Sequence, residues 1–278
     1  MHETRADASA GPTGDAAREA DAARESVESP DHEATIASLR EAIRVRDVFL
    51  AVASRELRNA LTPLASLVEF LDMSVQRQHS STPDEIAPMV GRLASATERF
   101  EKRTTLLFEA SRLIAGEAYV PSPSTFDFAS VVRSAIDVAS PAATIVGSSI
   151  VATLDEDVVV ISDRAALGLI VDTLISNATK FGAGRPIEVT LAYAHDAPED
   201  ARVRLSVRDH GIGLSREDQE RLFAPFGHIA AGPSAGFGVG LWVAHALAQA
   251  LGGTLSVEST LGLGASFTAT LPLCAPQR

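Results

Sequence analysis

A heptad spacing constrains this chain more than any other feature. Ile36, Leu39, Ile43, Leu50, Ala53, Leu57, Ala60, Leu64, Leu67 and Leu71 succeed one another at intervals of three and four residues, and only Arg46 interrupts the series. A seam kept up for about five heptads predicts a helix packed into a bundle or coiled coil, since a strand repeats every second residue. On this register Arg55 falls on the outer face, where a residue reacting with a separate domain or protein has to sit. The helix is expected to start near Asp31 or Thr35, either of which can cap it, and to run to about Gln78. His79-Ser80-Ser81-Thr82-Pro83 reads as a turn, with Thr82 or Asp84 as the cap of the next helix. That second helix is predicted from Asp84 to Ala115, with Met89, Leu93, Ala96, Phe100, Leu107, Ala110 and Ile114 as its apolar stripe. Two antiparallel helices bury one face each, and the usual remedy is to dimerise into a four-helix bundle. The seam residues are therefore read as structural, and the chain as a homodimer.

Residues 1–30 contrast sharply with this pattern. Val27 is the only aliphatic residue larger than alanine after Met1, so the segment cannot bury enough surface to offset its ordering entropy. It is expected to be a disordered acidic tail. Residues 1–35 carry nine acids and three arginines, half of the net charge of −12. An acidic chain with no basic cluster argues against nucleic-acid binding. Cys274 is the sole cysteine, which excludes a disulfide framework and a cysteine-based zinc site and fits a reducing cytoplasm. No apolar run reaches the ~20 residues that span a bilayer, so no membrane insertion is expected.

After Pro121-Ser122-Pro123-Ser124 the periodicity changes. Phe126–Ala139 has helical spacing, and Thr144–Thr153 and Val158–Ile161 are short apolar runs. Ala165–Phe181 reads as a helix capped by Asp163, with Leu167, Ile170, Val171, Leu174 and Ile175 buried. Ile187–Ala194 and Val203–Val207 alternate as half-buried strands do. Leu241–Leu251 is helical, and Thr254–Glu258 with Ser266–Leu271 forms a closing hairpin whose turn holds Gly262 and Gly264. This order predicts a mixed sheet with helices on one face. The domain reading is thus a tail over 1–30, a helical hairpin over 31–118, a linker over 119–125 and an α/β domain over 126–274.

Four short stretches in the second half carry chemistry. Asn177 and Lys180 stand three apart in Leu174-Ile175-Ser176-Asn177-Ala178-Thr179-Lys180-Phe181, hence on one helix face. An amide oxygen suits Mg²⁺ and a lysine supplies a point charge for phosphate, although such an asparagine is more often just a solvated helix residue. Asp209-His210-Gly211-Ile212-Gly213-Leu214 comes straight after a predicted strand. A carboxylate there can accept from an exocyclic amine, and Gly211 and Gly213 let backbone approach a flat ring; the bland reading is a turn. Arg221-Leu222-Phe223-Ala224-Pro225-Phe226 supplies two aromatics that core packing also explains. Gly236-Phe237-Gly238-Val239-Gly240-Leu241 precedes a helix, whose first amides such a run leaves open to phosphate. It is not a dinucleotide fingerprint, because Gly252-Gly253 and a hairpin come next in place of a βαβ unit.

Singly these stretches are weak. Together and in order they resemble the ATP-binding domain shared by histidine kinases, chaperone ATPases, mismatch-repair ATPases and type II topoisomerases. Upstream, Phe49-Leu50 and then Ser54-Arg55-Glu56-Leu57-Arg58-Asn59-Ala60-Leu61 resemble the phosphoacceptor box of bacterial two-component sensor histidine kinases. The resemblance covers residues 36–272. It implies an α+β chain: a helical-hairpin dimerisation domain, four-helix as a dimer, followed by an α/β two-layer sandwich of the GHKL (Bergerat) type. It further implies ATP and Mg²⁺ as cofactors. Asn177 is the implied Mg²⁺ ligand and Asp209 the reader of the adenine amine. Lys180, Gly211, Gly213, Phe223, Phe226, Gly236, Gly238, Gly240 and Leu241 complete the implied nucleotide site. The implied partner is a response-regulator receiver domain, an intact histidine kinase, or both.

Three departures matter. The family's reactive histidine is Arg55 and its proline is Ala60, with Pro63 three residues on. Phosphoryl transfer to that position needs a nitrogen lone pair, which arginine lacks. Glu56, the implied base, has no proton to remove and is left to pair with a neighbouring arginine. Thr173 replaces an asparagine common in the family, and a catalytic glutamate of the hydrolysing relatives, which argues against an ATP hydrolase. Asn59 is kept; its implied role is positioning water to dephosphorylate a partner regulator. The sequence therefore implies a cytoplasmic signalling protein that binds ATP and does not autophosphorylate at Arg55. The alternatives are a pure regulatory binding module and a response-regulator phosphatase using Asn59.

Overall fold

The computed structural model describes residues 15–76, 83–194, 201–226 and 238–275. Helix α1 spans Asp15–Gln76 and helix α2 spans Pro83–Ile114. The expected start of α1 at Asp31 or Thr35 is sixteen or more residues too late, and the expected tail is helical from Asp15 onward. The reason is local: residues 16–25 are mostly Ala, Glu and Arg, strong helix formers that need no buried face to favour the helix. Residues 1–14 of the expected tail, and most of the expected turn at 79–83, lie outside the described residues.

In the stretch ending at Leu50, the seam residues Ile36, Leu39, Ile43 and Leu50 are all exposed. From residue 51 onward the seam residues Ala53, Leu57, Ala60, Leu64, Leu67 and Leu71 are half-buried. The positions of this half of α1 that are fully covered within one chain are Val52 and Glu56, while α2 buries Ala96, Leu107 and Ala110.

Strand β1 is Ser124–Asp127, helix α3 is Phe128–Ile145, strand β2 is Ile150–Leu154 and strand β3 is Val159–Ser162. Helix α4 is Arg164–Phe181, strands β4 and β5 are Ile187–Ala194 and Arg202–Arg208, and helix α5 is Arg216–Arg221. Helix α6 is Gly240–Ala250, and β6 and β7 are Thr254–Thr260 and Gly264–Pro272. The main sheet has the order β2-β4-β5-β7-β6, with β2 parallel to β4 and the other pairs antiparallel. β1 pairs with β3 in a separate antiparallel ribbon. This ribbon starts inside the expected linker; a four-residue strand is too short to show its alternation in sequence.

Every second residue of the central strands points inward. Ile187, Val189 and Leu191 of β4, Val203, Leu205 and Val207 of β5, and Phe267, Ala269 and Leu271 of β7 are buried. Helix α4 packs between α3 and α6, and the three cover this face. Leu167, Ile170, Val171, Leu174 and Ile175 of α4 are all buried, as the 3.6-residue pattern predicts. The result is a helical N-terminal region followed by a two-layer α/β sandwich.

Two helix starts fix this frame. Asp127 caps α3 by accepting from the Ala129 and Ser130 amides. Asp163 caps α4 through Oδ1, which accepts from the Ala165 and Ala166 amides at 2.9 and 3.0 Å. Its Oδ2 accepts from the Tyr119 hydroxyl at 2.9 Å and the Ser122 amide at 2.8 Å, so the segment leaving α2 is tied to the start of α4.

Candidate nucleotide-binding site

Asp209 comes directly after β5 and is 3% exposed. Its Oδ1 accepts from the Gly211 amide at 2.9 Å, and its own amide donates to the Ala265 carbonyl at 2.9 Å. Burial pushes its pKa up, and the Gly211 and Ala265 amides, which donate toward the carboxylate, oppose that shift. A largely buried carboxylate with Oδ1 occupied by its own loop has a second oxygen to offer a donor. That fits recognition of an exocyclic amine.

The glycines around it answer first to the protein's own backbone. A Cβ on Gly211 would lie 1.7 Å from the Phe181 carbonyl oxygen, and one on Gly213 would lie 2.1 Å from that of Thr260. Gly213 also sits at φ 64°. The Asp209–Gly213 loop is thus pressed between the end of α4 and the β6–β7 turn, where the Gly262 amide donates to the Ile212 carbonyl at 2.7 Å. Gly262 sits at the turn, as its place in the sequence predicts, with φ 81°. The close approach that demands glycine here is to Phe181 and Thr260, where the sequence reading places a flat ring.

On α4, Asn177 is half-buried and Lys180 is exposed, one turn apart on one face. Burial is the first cause of a lowered Lys180 pKa, and the Arg103 charge adds to it. The Lys180 ammonium lies 5.2 Å from the Phe181 ring centre. Phe223 and Phe226, on the turn after α5, pack onto α6. The Phe223 ring stacks on His245 at 4.7 Å between centroids, and Phe226 meets Trp242 at 6.3 Å. Both aromatics therefore have a packing role, and Gly236 lies outside the described residues. Gly238 sits at φ 63° just before α6. Gly240 opens α6, where a Cβ would come within 3.2 Å of Thr173 Cγ2. Leu241 is next on the helix, half-buried. No side chain caps α6 at Val239, which leaves its first amides to an anion or water. An open helix start, a lysine and a buried carboxylate suit a nucleotide with its anionic phosphate chain.

Arg55 and Asn59 are exposed on α1, and Glu56 between them is 6% exposed. Glu56 forms an ion pair with Arg103 of α2, the arginine partner the sequence leaves to be found. Its Oε1 is buried without a hydrogen-bond partner. Next to Arg103, Lys102 bridges to Asp172 of α4 at 3.0 Å. Asp172 is thus turned toward α2, and Thr173 faces Gly240. Arg103 and Lys102 escape sequence reasoning because pairing across helices depends on their register, which no local pattern encodes.

Residues 162–275 match the family model described as histidine kinase-, DNA gyrase B- and HSP90-like ATPase. The virulence sensor protein BvgS of Bordetella bronchiseptica is 29% identical over 238 residues, which cover 83% of this chain and 18% of that protein. The sensor protein EvgS of Escherichia coli K12 is 29% identical over 229 residues, covering 81% of this chain and 18% of its own length. The chain therefore spans about a fifth of the length of these curated relatives. Full-length ShkA, crystallised in complex with AMPPNP, shares the fold at a TM-score of 0.53 and 22% identity, over 83% of this chain and 46% of that one. The C-terminal match, the named relatives and the residues of the site agree: residues 162–275 form a domain of the histidine kinase-, DNA gyrase B- and HSP90-like ATPase type, in a chain similar over about four fifths of its length to sensor proteins.

Proposed function

We propose that the protein is a cytoplasmic signal-transduction protein that binds ATP with Mg²⁺ and does not phosphorylate itself at position 55. Its output is exerted on a response-regulator receiver domain or on a partner kinase. The observation that carries this reading is the pairing of a nucleotide-type site around Asp209 with an arginine, exposed on α1, at the phosphoacceptor position. In this reading Asp209 holds the adenine amine, Asn177 ligates Mg²⁺, and Lys180 with the amides at the start of α6 holds phosphate. Bound ATP supplies a transferable phosphoryl group; Arg55, with five donors and no lone pair, cannot accept it. With Arg55 beside it Glu56 has no proton to remove, and in the wild type it serves as the anion that holds Arg103. Among the described residues no helix is long and apolar enough to cross a membrane.

A second reading rests on Asn59, exposed one turn after Arg55, where an amide can position water for an aspartyl phosphate on a docked regulator. Both are tested by incubating the protein with ATP labelled in the γ-phosphate. The wild type is expected to take up no acid-labile label, and Arg55→His is expected to take it up, with Glu56 as base. Label on the wild type that survives Glu56→Ala would place the acceptor elsewhere. Faster loss of label from a phosphorylated regulator, abolished by Asn59→Ala, would establish the second reading.

A further inference from the structure

Arg103 lies outside every motif that points to a nucleotide. Its helix nevertheless reaches the same place. Its α2 neighbour Lys102 bridges to Asp172 on α4 at 3.0 Å, which pins the crossing of the two helices. One turn further along α2, Leu106 Cδ2 stands 4.0 Å from where a Cβ on Gly240 would be, at the uncapped start of α6. Arg103 and Leu106 share a helix face, so that face of α2 is turned toward the first amides of α6. The Arg103 charge also bears on the Lys180 ammonium. The start of α6, where a Cβ on Gly240 would meet Thr173 of α4, and the Arg103 face of α2 thus come together at α4.

Two like charges drawn together are unfavourable unless an anion comes between them. Glu56 supplies part of that anion. One of its oxygens pairs with Arg103 Nη1, and the other is buried without a partner. The carboxylate holds the guanidinium by one arm, and the side chain of Arg103 remains 51% exposed. A guanidinium has five donors, so it can keep Glu56 and bind a second anion at once.

We propose that Arg103, contributed by the helical hairpin, is a phosphate-binding residue of the nucleotide site that distinguishes ATP from ADP. The inference rests on the reading of the Asp209 region as an ATP site. Asp209 takes the adenine end, while the Arg103 face of α2 meets the start of α6 at the phosphate end. The hairpin closes that end from outside the α/β domain, so its arginine meets the terminal phosphate, the group ADP lacks. Through Glu56 the same side chain tells α1, at the turn bearing Arg55, whether a triphosphate is bound.

The test is calorimetric titration of the full chain with AMPPNP and with ADP, each with Mg²⁺. The wild type is expected to prefer AMPPNP, and Arg103→Gln to weaken AMPPNP binding about tenfold while ADP binding holds. Because Arg103→Gln strands the Glu56 carboxylate, the double variant Glu56→Gln/Arg103→Gln is measured beside it and is expected to lose the same preference. Arg103→Lys restores part of it, as a charge without the fork. Lys102→Gln, which loosens the same helix crossing, keeps it. Equal affinities for AMPPNP in wild type and the double variant would overturn the inference, as would an equal loss of AMPPNP and ADP, or the same loss in Lys102→Gln. A wild type that binds neither nucleotide would instead remove the ATP site on which it rests.

Discussion

In the proposed function, the side chain at position 55 decides whether bound ATP can phosphorylate the chain. Imidazole presents a lone pair at neutral pH, and guanidinium never does. Beside it, Glu56 is buried and engaged by Arg103. Removing Arg103 alone leaves a buried carboxylate without its partner, which costs about 1–3 kcal/mol, since the half-exposed guanidinium is already screened by solvent. Chemical denaturation of Arg103→Ala is expected to show a loss of that order, largely restored when Glu56→Gln is added; a loss unchanged by the second substitution would mean that the carboxylate is not the source of the cost. At the other end of the site, Asp209→Ala removes the acceptor assigned to the adenine amine. Nucleotide affinity is expected to fall by about 1–3 kcal/mol, read by titration calorimetry, and an unchanged affinity would detach Asp209 from the adenine.

At the scale of elements, the long periodic segments could be read from sequence and the short ones could not. Leu167 to Ile175 of α4 and the alternating residues of β4 and β5 showed their buried faces plainly, since each repeats its period over several turns or pleats. β1, with four residues, and α5, with six, are too short to repeat any period; pairing with β3 fixes the first, and Ser215 caps the second. The same limit hid the contact surface of α2: Lys102 and Arg103 look like solvated charges until the crossing with α4 is known. Asp163 joins elements that sequence separates. It caps α4, yet its other oxygen holds Tyr119 and Ser122 of the segment after α2. Burial acts to raise its pKa, but the hydrogen bonds from Ser122, Ala166, Tyr119 and Ala165 outweigh it, and the net shift is downward. A carboxylate with a depressed folded pKa contributes stability that is full above its unfolded value, near ~4, and is lost as pH falls through the folded value. Urea midpoints of the wild type are therefore expected to fall below about pH 4 by more than those of Asp163→Asn. Identical pH profiles would show that this carboxylate is not an acid-sensitive tie.

At the scale of the whole molecule, the question is what covers the hairpin. A single chain leaves Leu61, Val68, Phe70 and Met73 of α1 and Val90 and Phe108 of α2 exposed, together with Ile36, Leu39, Ile43 and Leu50. Scattered apolar residues are ordinary on a protein surface, but a row at heptad spacing is not. The half-buried set Ala53, Leu57, Ala60, Leu64, Leu67 and Leu71 continues that row along the part of α1 that packs with α2. Two-helix hairpins meet this need by pairing, and four helices then enclose one core. A second copy of this chain carries the same row and is its natural complement, so we expect a homodimer. Leu57→Asp sets a carboxylate into the row one residue from the Glu56–Arg103 pair, where a partner helix would have to desolvate it. Light scattering at micromolar concentration is expected to give twice the chain mass for the wild type and the single mass for Leu57→Asp, with circular dichroism showing the α/β domain retained. A monomeric wild type would mean that the row is covered by something other than a second copy. In that event the hairpin would be a surface for a different chain, and the partner kinase of the proposed function would be the first candidate to mix with it.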